Sequence, residues 1–192
     1  MSTLNSYLAE SAELFRKTIE QDLSSVTDQA VDVLAKALDR RLPVLVCGNG
    51  GSSSDAMHIA GELVGRFLVE RRALNVMALS ANTSVLTAWS NDYDYNSVFS
   101  RQVEAHGQPG GVVWGISTSG NSGNVIAAFE KAKAMSMTTI ALTGEGGGRM
   151  AALSDVLLAV PSRVTPRIQE LHIALYHFIC AKVEEAVAGK NL

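Results

Sequence analysis

The chain has 192 residues, enough for one domain with a substantial core, and its 47% hydrophobic and 18% charged residues are those of a globular protein, not a disordered one. A formal net charge of −3 argues against general nucleic-acid binding, so any grip on an anion has to come from local geometry. No apolar run approaches the roughly 18 residues of a membrane span, and the opening MSTLNSYLAESAELF lacks a basic segment followed by an apolar block; the expectation is a cytoplasmic protein with no signal peptide and no membrane partner.

Leu4, Leu8, Ala12, Phe15 and Ile19 recur at helical spacing and predict a first helix. A second is expected from a cap near Thr27 or Asp28, with Val31, Leu34 and Leu38 on one face. An α/β sheet can close without these two helices (residues 1–40), and they suit subunit contacts. From Pro43 the pattern changes. Short apolar runs at Pro43–Cys47, Asn75–Ser80, Gly111–Ser117, Thr138–Thr143 and Asp155–Val160 read as strands of a parallel sheet buried on both faces. Helical segments lie between them, at Ser53–Phe67, Ser84–Asn91, Asn96–His106, Asn121–Met135 and, briefly, near Arg149–Leu153. This alternation is that of βαβ units. A last helix opens at TPRIQ, with Pro166 at a first helical position, and runs to about Ala188; Ile168, Leu171, Leu175, Phe178 and Val183 are available for burial. No repeat, linker or low-complexity tract interrupts the chain, so residues 1–192 read as one domain: N-terminal helices over 1–40, then an α/β core and C-terminal helix over 41–192. Cys47 and Cys180 sit in apolar surroundings without metal or redox spacing and read as buried reduced thiols.

Ligands of parallel α/β sheets sit beyond the carboxyl ends of the strands, and two loops fall there. Ser117–Ser122, STSGNS, offers the hydroxyls of Ser117, Thr118, Ser119 and Ser122, a glycine at 120 and a following helix N-terminus. Such a loop can cradle a phosphate without a lysine, although an ordinary Ser/Gly turn with a cap has the same composition. Gly48–Ser54 begins like a dinucleotide fingerprint, but Ser53 stands where the third glycine belongs and the second strand ends without an acidic residue. Asn49, Gly50 and Gly51 are instead suited to meet sugar oxygens. No Walker lysine is present. Asn91-Asp92, in WSNDYDYN, is expected to follow a helix and open a polar bend, where Asp92 can hydrogen-bond sugar hydroxyls or act as a base; the same run also reads as an ordinary surface turn. The run EGGGRM (Glu145–Met150) reads as a flexible loop near the same rim, with no chemistry assigned.

His58 and Glu62, four residues apart, share one helical face. The pair can donate N and O to zinc or simply form a solvated couple. The last helix offers Gln169, Glu170, His172 and His177. Gln169 and His177 are separated by about 80° in azimuth and about 12 Å along a helix axis. One ion does not easily take both from a straight helix: either long side chains lean together to reach it, or one donor comes from a neighbouring chain.

Together CGNGGS, DAMHIAGELVGR, SNDYDYN, GISTSGNSGNVI and TPRIQELH resemble the phosphoheptose isomerases of the sugar-isomerase (SIS) domain family, across nearly the whole chain. The resemblance implies a flavodoxin/Rossmann-like three-layer α/β sandwich with a five-stranded parallel sheet, assembled as a homotetramer with sites between subunits. Residue by residue, it implies substrate contacts at Asn49, Gly50, Gly51, Glu62, Asn91, Asp92, Ser117, Thr118, Ser119, Ser122 and Gln169. It implies Zn2+ on His58, Glu62, Gln169 and His177, with Glu62 as base and His177 as acid. The implied reaction is isomerisation of sedoheptulose 7-phosphate to D-glycero-D-manno-heptose 7-phosphate through an enediol, toward the heptose of lipopolysaccharide or a related surface polysaccharide. One departure is GGSSSDA, where relatives often carry alanines after the first serine. Other readings are a non-catalytic SIS adaptor for a replication initiator, which would lack part of the His/Glu set, a sugar-phosphate-sensing regulator, which would need a DNA-binding module, and an isomerase of another sugar phosphate.

Overall fold

The computed structural model describes residues 3–189; the ends of the expected 1–192 domain, residues 1–2 and 190–192, lie outside them. The elements are α1 (Leu4–Gln21), α2 (Ser24–Asp39), β1 (Val44–Gly48), α3 (Gly51–Val64), β2 (Val76–Ala78), α4 (Thr83–Asp92), α5 (Val98–His106), β3 (Val112–Ser117), α6 (Gly123–Ala134), β4 (Thr138–Thr143), a short 3-10 helix (Gly148–Leu153), β5 (Val156–Ala159) and α7 (Thr165–Ala188). The strands form one five-stranded sheet in the order β2-β1-β3-β4-β5, every pairing parallel.

Strand periodicity divides the core into two layers. On β1, Val44 and Val46 face one side while Leu45 and Cys47 face the other. The first layer packs these strand residues, with Trp114, Ile116, Ile140 and Leu142, against Leu34 and Leu38 of α2, Ile59 and Leu63 of α3 and Tyr176, Ile179 and Val183 of α7. The second packs Val113 and Ala141 against Phe99 and Val103 of α5 and Val125 and Phe129 of α6. Cys47 and Cys180 are buried and free, as their surroundings predict. Burial pushes both thiols up to about 12. Among the described residues, no helix is long and apolar enough to cross a membrane.

Several element ends differ from the expected ones for identifiable reasons. α2 starts at Ser24, ahead of Thr27, because Asp22 Oδ1 accepts the Ser24 N–H at 3.1 Å and Thr27 fits, buried, inside the first turn. α5 starts at Val98, because Asp94 Oδ1 takes the Ser97 N–H at 2.9 Å. α3 stops at Val64 and does not reach Phe67. The backbone N–H groups of Phe67, Leu68 and Val69 are claimed by the Glu184 carboxylate of α7, at 3.0, 2.5 and 2.7 Å.

α1 lies outside the two layers and is pinned to the start of α7 by a polar cluster. Arg167 pairs with Glu10 at 3.1 Å and Glu170 at 3.0 Å and bonds to Ser11, and its guanidinium lies over the Tyr7 ring. The apolar positions that predict α1 remain largely uncovered: Leu4 and Ile19 are 71% and 77% exposed, and Leu8 and Phe15 are exposed too. Of the residues available for burial on α7, Ile168, Leu171 and Val183 are buried, but Phe178 is exposed.

Candidate active site

In the order β2-β1-β3 the chain direction across the sheet reverses between β1 and β3, and this is the switch point where ligands of such sheets bind. The two glycine and serine loops leave these neighbouring strands. Gly50, at φ 55° and ψ −123°, turns the chain from β1 into α3 in a conformation open to glycine. A side chain at Gly51 would collide with the Gln169 amide of α7, so the loop and the last helix touch here. Asn49 is locked by a reciprocal amide pair: its Nδ2 donates to Asn124 Oδ1 and Asn124 Nδ2 returns a bond to Asn49 Oδ1, both at 2.9 Å. Tyr95 adds its hydroxyl to Asn49 Oδ1 at 2.8 Å.

The Ser117–Ser122 loop is equally braced. Ser117 and Ser122 share a hydroxyl hydrogen bond of 2.9 Å, and Asn121 Nδ2 donates to the Ser119 carbonyl at 2.8 Å. Ser122 is the N-cap of α6 without a side-chain capping bond. Gly120 has φ 64°, and a side chain there would run into the Gly147 backbone. The run Glu145–Met150, to which the sequence assigns no chemistry, is the buttress of this loop. The Met150 N–H donates to the Gly120 carbonyl at 3.0 Å, and the Arg149 N–H donates to Asn121 Oδ1 at 3.0 Å.

A second cluster sits further along α3. Glu62 Oε1 lies 3.0 Å from His58 Nε2, and His177 Nε2 lies 3.5 Å from the same atom. One donor atom from each of these three residues falls within 4.8 Å of the other two, so they can hold a metal ion. Their N and O donors are those zinc accepts. Gln169 is not beside them but against Gly51, at the loop end of α3. Parallel alignment of α3 and α7 explains this. Gly51 faces Gln169, His58 faces Tyr176 and His177, and Phe67 beyond α3 meets Glu184. Asn91 and Asp92 occupy the exposed last turn of α4, not a bend after it, and bond to each other at 2.9 Å.

The cluster has supports that motif reading does not find. Tyr176, fully buried, reaches His58 Nδ1 at 2.9 Å. Phe67 stacks on His177 with ring centroids 5.5 Å apart. Glu184 holds that Phe67 segment and pairs with Arg71 at 3.1 Å, both side chains essentially without solvent. Burial alone would raise the Glu184 carboxyl; the N–H groups of Phe67, Leu68 and Val69 and the Arg71 guanidinium outweigh it and hold the carboxyl below the usual carboxylate range. Arg71 also donates to the Glu62 carbonyl at 2.8 Å. The remaining helical candidates are structural. Glu170 belongs to the Arg167 cluster, and His172 is buried with Nε2 3.2 Å from the Thr143 carbonyl. Burial, partly opposed by that bond, pulls the His172 imidazole down to about 4.

The model of the SIS domain matches residues 6–144. The chain is 50% identical over 179 residues to the phosphoheptose isomerase of Helicobacter pylori strain P12, covering 93% of each. Its structure superposes on a phosphoheptose isomerase from Neisseria gonorrhoeae with a TM-score of 0.89 at 44% identity, covering 95% of this chain and 97% of that one. For a phosphoheptose isomerase from Francisella tularensis the values are 0.91 and 34%, covering 96% and 100%. The chain thus belongs to the SIS-domain family, among its phosphoheptose isomerases.

Proposed function

We propose that the chain converts sedoheptulose 7-phosphate to D-glycero-D-manno-heptose 7-phosphate by aldose–ketose isomerisation, toward the heptose of lipopolysaccharide or a related surface polysaccharide. The observation that carries this reading is the intact His58–Glu62–His177 cluster in a member of this family, which an adaptor has no need to keep. Ser117, Thr118, Ser119 and Ser122 hold the phosphate at the N-terminus of α6, where unpaired N–H groups and the helix dipole favour an anion. Asn49, Gly50, Gly51, Asn91, Asp92 and Gln169 hold the sugar hydroxyls. Glu62 takes the carbon-bound proton at C1 and returns it at C2 through an enediol, while His177 manages the oxygen protons. His58, Glu62 and His177 of one protomer, with Gln169 of a neighbouring one, would hold Zn2+, whose chemistry is Lewis-acid polarisation of the substrate oxygens.

The two halves of this machinery lie apart in one chain. α3 starts at the switch point, and Glu62 lies three turns on, about 16 Å along the axis. A seven-carbon sugar phosphate reaches roughly 10 Å when extended, taking carbon–carbon bonds of about 1.5 Å. We infer a homotetramer in which the phosphate loop of one protomer faces the His/Glu cluster of another. The uncovered apolar face of α1 supports this assembly, with residues 1–40 forming contacts and residues 1–192 acting as one domain. Two buried, unpaired thiols accord with a cytoplasmic location.

Assay of the purified chain with five-, six- and seven-carbon sugar phosphates tests the substrate, with turnover of the seven-carbon ester expected. Glu62→Gln should lower turnover by about a hundredfold or more and spare substrate binding. Near-normal turnover in that variant would refute the assignment of the base.

A further inference from the structure

We propose that Tyr176 is a positioning residue: it relays the Asp55 carboxylate to His58, so that His58 keeps its proton on Nδ1 and presents its Nε2 lone pair to the space it shares with Glu62 and His177. The inference rests on the metal reading above and names the device that orients one ligand. Asp55 and His58 lie three residues apart on one face of α3, and Tyr176 reaches across from α7. The Tyr176 hydroxyl is 2.9 Å from His58 Nδ1 and lies beside the Asp55 carboxyl. Asp55 is buried, and its Oδ2 has no hydrogen-bond partner.

The direction of the relay follows from donor inventory. A phenol has one proton to give and lone pairs to accept with; an ionised carboxylate only accepts. If Tyr176 gave its proton to His58, the Asp55 carboxylate would face oxygen lone pairs in a buried place, a costly arrangement. If it gives the proton to Asp55, its oxygen accepts the Nδ1–H of His58. A neutral imidazole protonated on Nδ1 carries its lone pair on Nε2, the atom 3.0 Å from Glu62 Oε1 and 3.5 Å from His177 Nε2. Histidine ligands of metals are commonly oriented by such a partner on the far nitrogen. Here a phenol stands between histidine and carboxylate.

The test is zinc affinity of the full chain, stripped of metal and titrated in competition with a chelating indicator. Tyr176→Phe keeps the ring and removes the oxygen; it should bind zinc about tenfold more weakly or worse. Asp55→Ala, which leaves no oxygen to accept from Tyr176, should do the same, and the double variant should be no weaker than the weaker single one, because both break one relay. In the zinc-loaded parent, 1H–15N correlation should place a hydrogen-bonded proton on His58 Nδ1 that shifts in Tyr176→Phe; a merely structural role would lower thermal stability and leave it unmoved. Zinc affinity of Tyr176→Phe within about twofold of the parent, or losses that multiply in the double variant, would overturn the proposal. Should the parent take no zinc, it is the metal reading that fails. The relay is then judged on the metal-free parent at alkaline pH, where a proton on Nδ1 supports it and one on Nε2 overturns it.

Discussion

Replacing Glu184 with glutamine tests whether a buried ion pair holds the His58–Glu62–His177 cluster in shape. The carboxylate does two things at once: it accepts three backbone N–H groups from Phe67, Leu68 and Val69, and it faces Arg71 at 3.1 Å with no solvent on either side chain. Glutamine keeps one acceptor oxygen and turns an NH2 group toward donors or toward the guanidinium. Arg71 is then left as a buried charge without a counter-ion, and breaking a buried pair from one side costs about 3–5 kcal/mol. The carboxylate is already held below its usual range, so protonation does not relieve the site near neutral pH. Denaturant unfolding at fixed protein concentration should show the loss. Because the released segment carries Phe67, which stacks on His177, zinc affinity and turnover should fall as well in the protein that remains folded. A stability change under about 1 kcal/mol with unaltered turnover would refute the reasoning, since a buried, triply bonded carboxylate cannot be neutralised that cheaply.

Gly120→Ala puts a side chain at φ 64° and into the Gly147 backbone. It should raise KM for the sugar phosphate about tenfold or more, while zinc affinity stays that of the parent; an unchanged KM would remove the Ser117–Ser122 loop from the phosphate site. His172 carries a pH prediction. Its folded imidazole titrates near 4 against an ordinary 6.5, so the unfolded chain binds more protons between those values. The stability it contributes is full above about pH 6.5 and is lost as pH falls toward 4, amounting to roughly 2–3 kcal/mol by pH 4.5. His172→Gln, which can still donate to Thr143, should flatten the acid loss by about that amount in urea titrations at pH 7 and pH 4.5; an equally steep loss would mean that other groups carry it.

What the sequence reveals about this molecule depends on the range of the interaction. The five strands and both glycine and serine loops are visible because each is a local pattern: an apolar run followed by Gly48–Gly51, or by Ser117–Ser122. His58 and Glu62 are visible because helix periodicity alone puts them on one face. Nothing local announces that Glu184 lies 117 residues from the Phe67 N–H it accepts, or that Asn124 pairs with Asn49 across 75 residues. Such contacts depend on the packing of α7 and α6 against the sheet. The extension of α3 to Phe67 goes wrong for the same reason: apolar periodicity continues past Val64, but a distant carboxylate takes the N–H groups of Phe67, Leu68 and Val69. Gln169 marks a further limit. Its spacing from His177 already conflicts with a single metal site on a straight helix, and the fold keeps that conflict, because α3 and α7 run side by side and place Gln169 at Gly51 and His177 at His58. Under the proposed function, that geometry leaves the Ser117–Ser122 loop at one end of α3 and the His58–Glu62–His177 cluster three turns away, and the inferred homotetramer is what would join the two as well as cover α1.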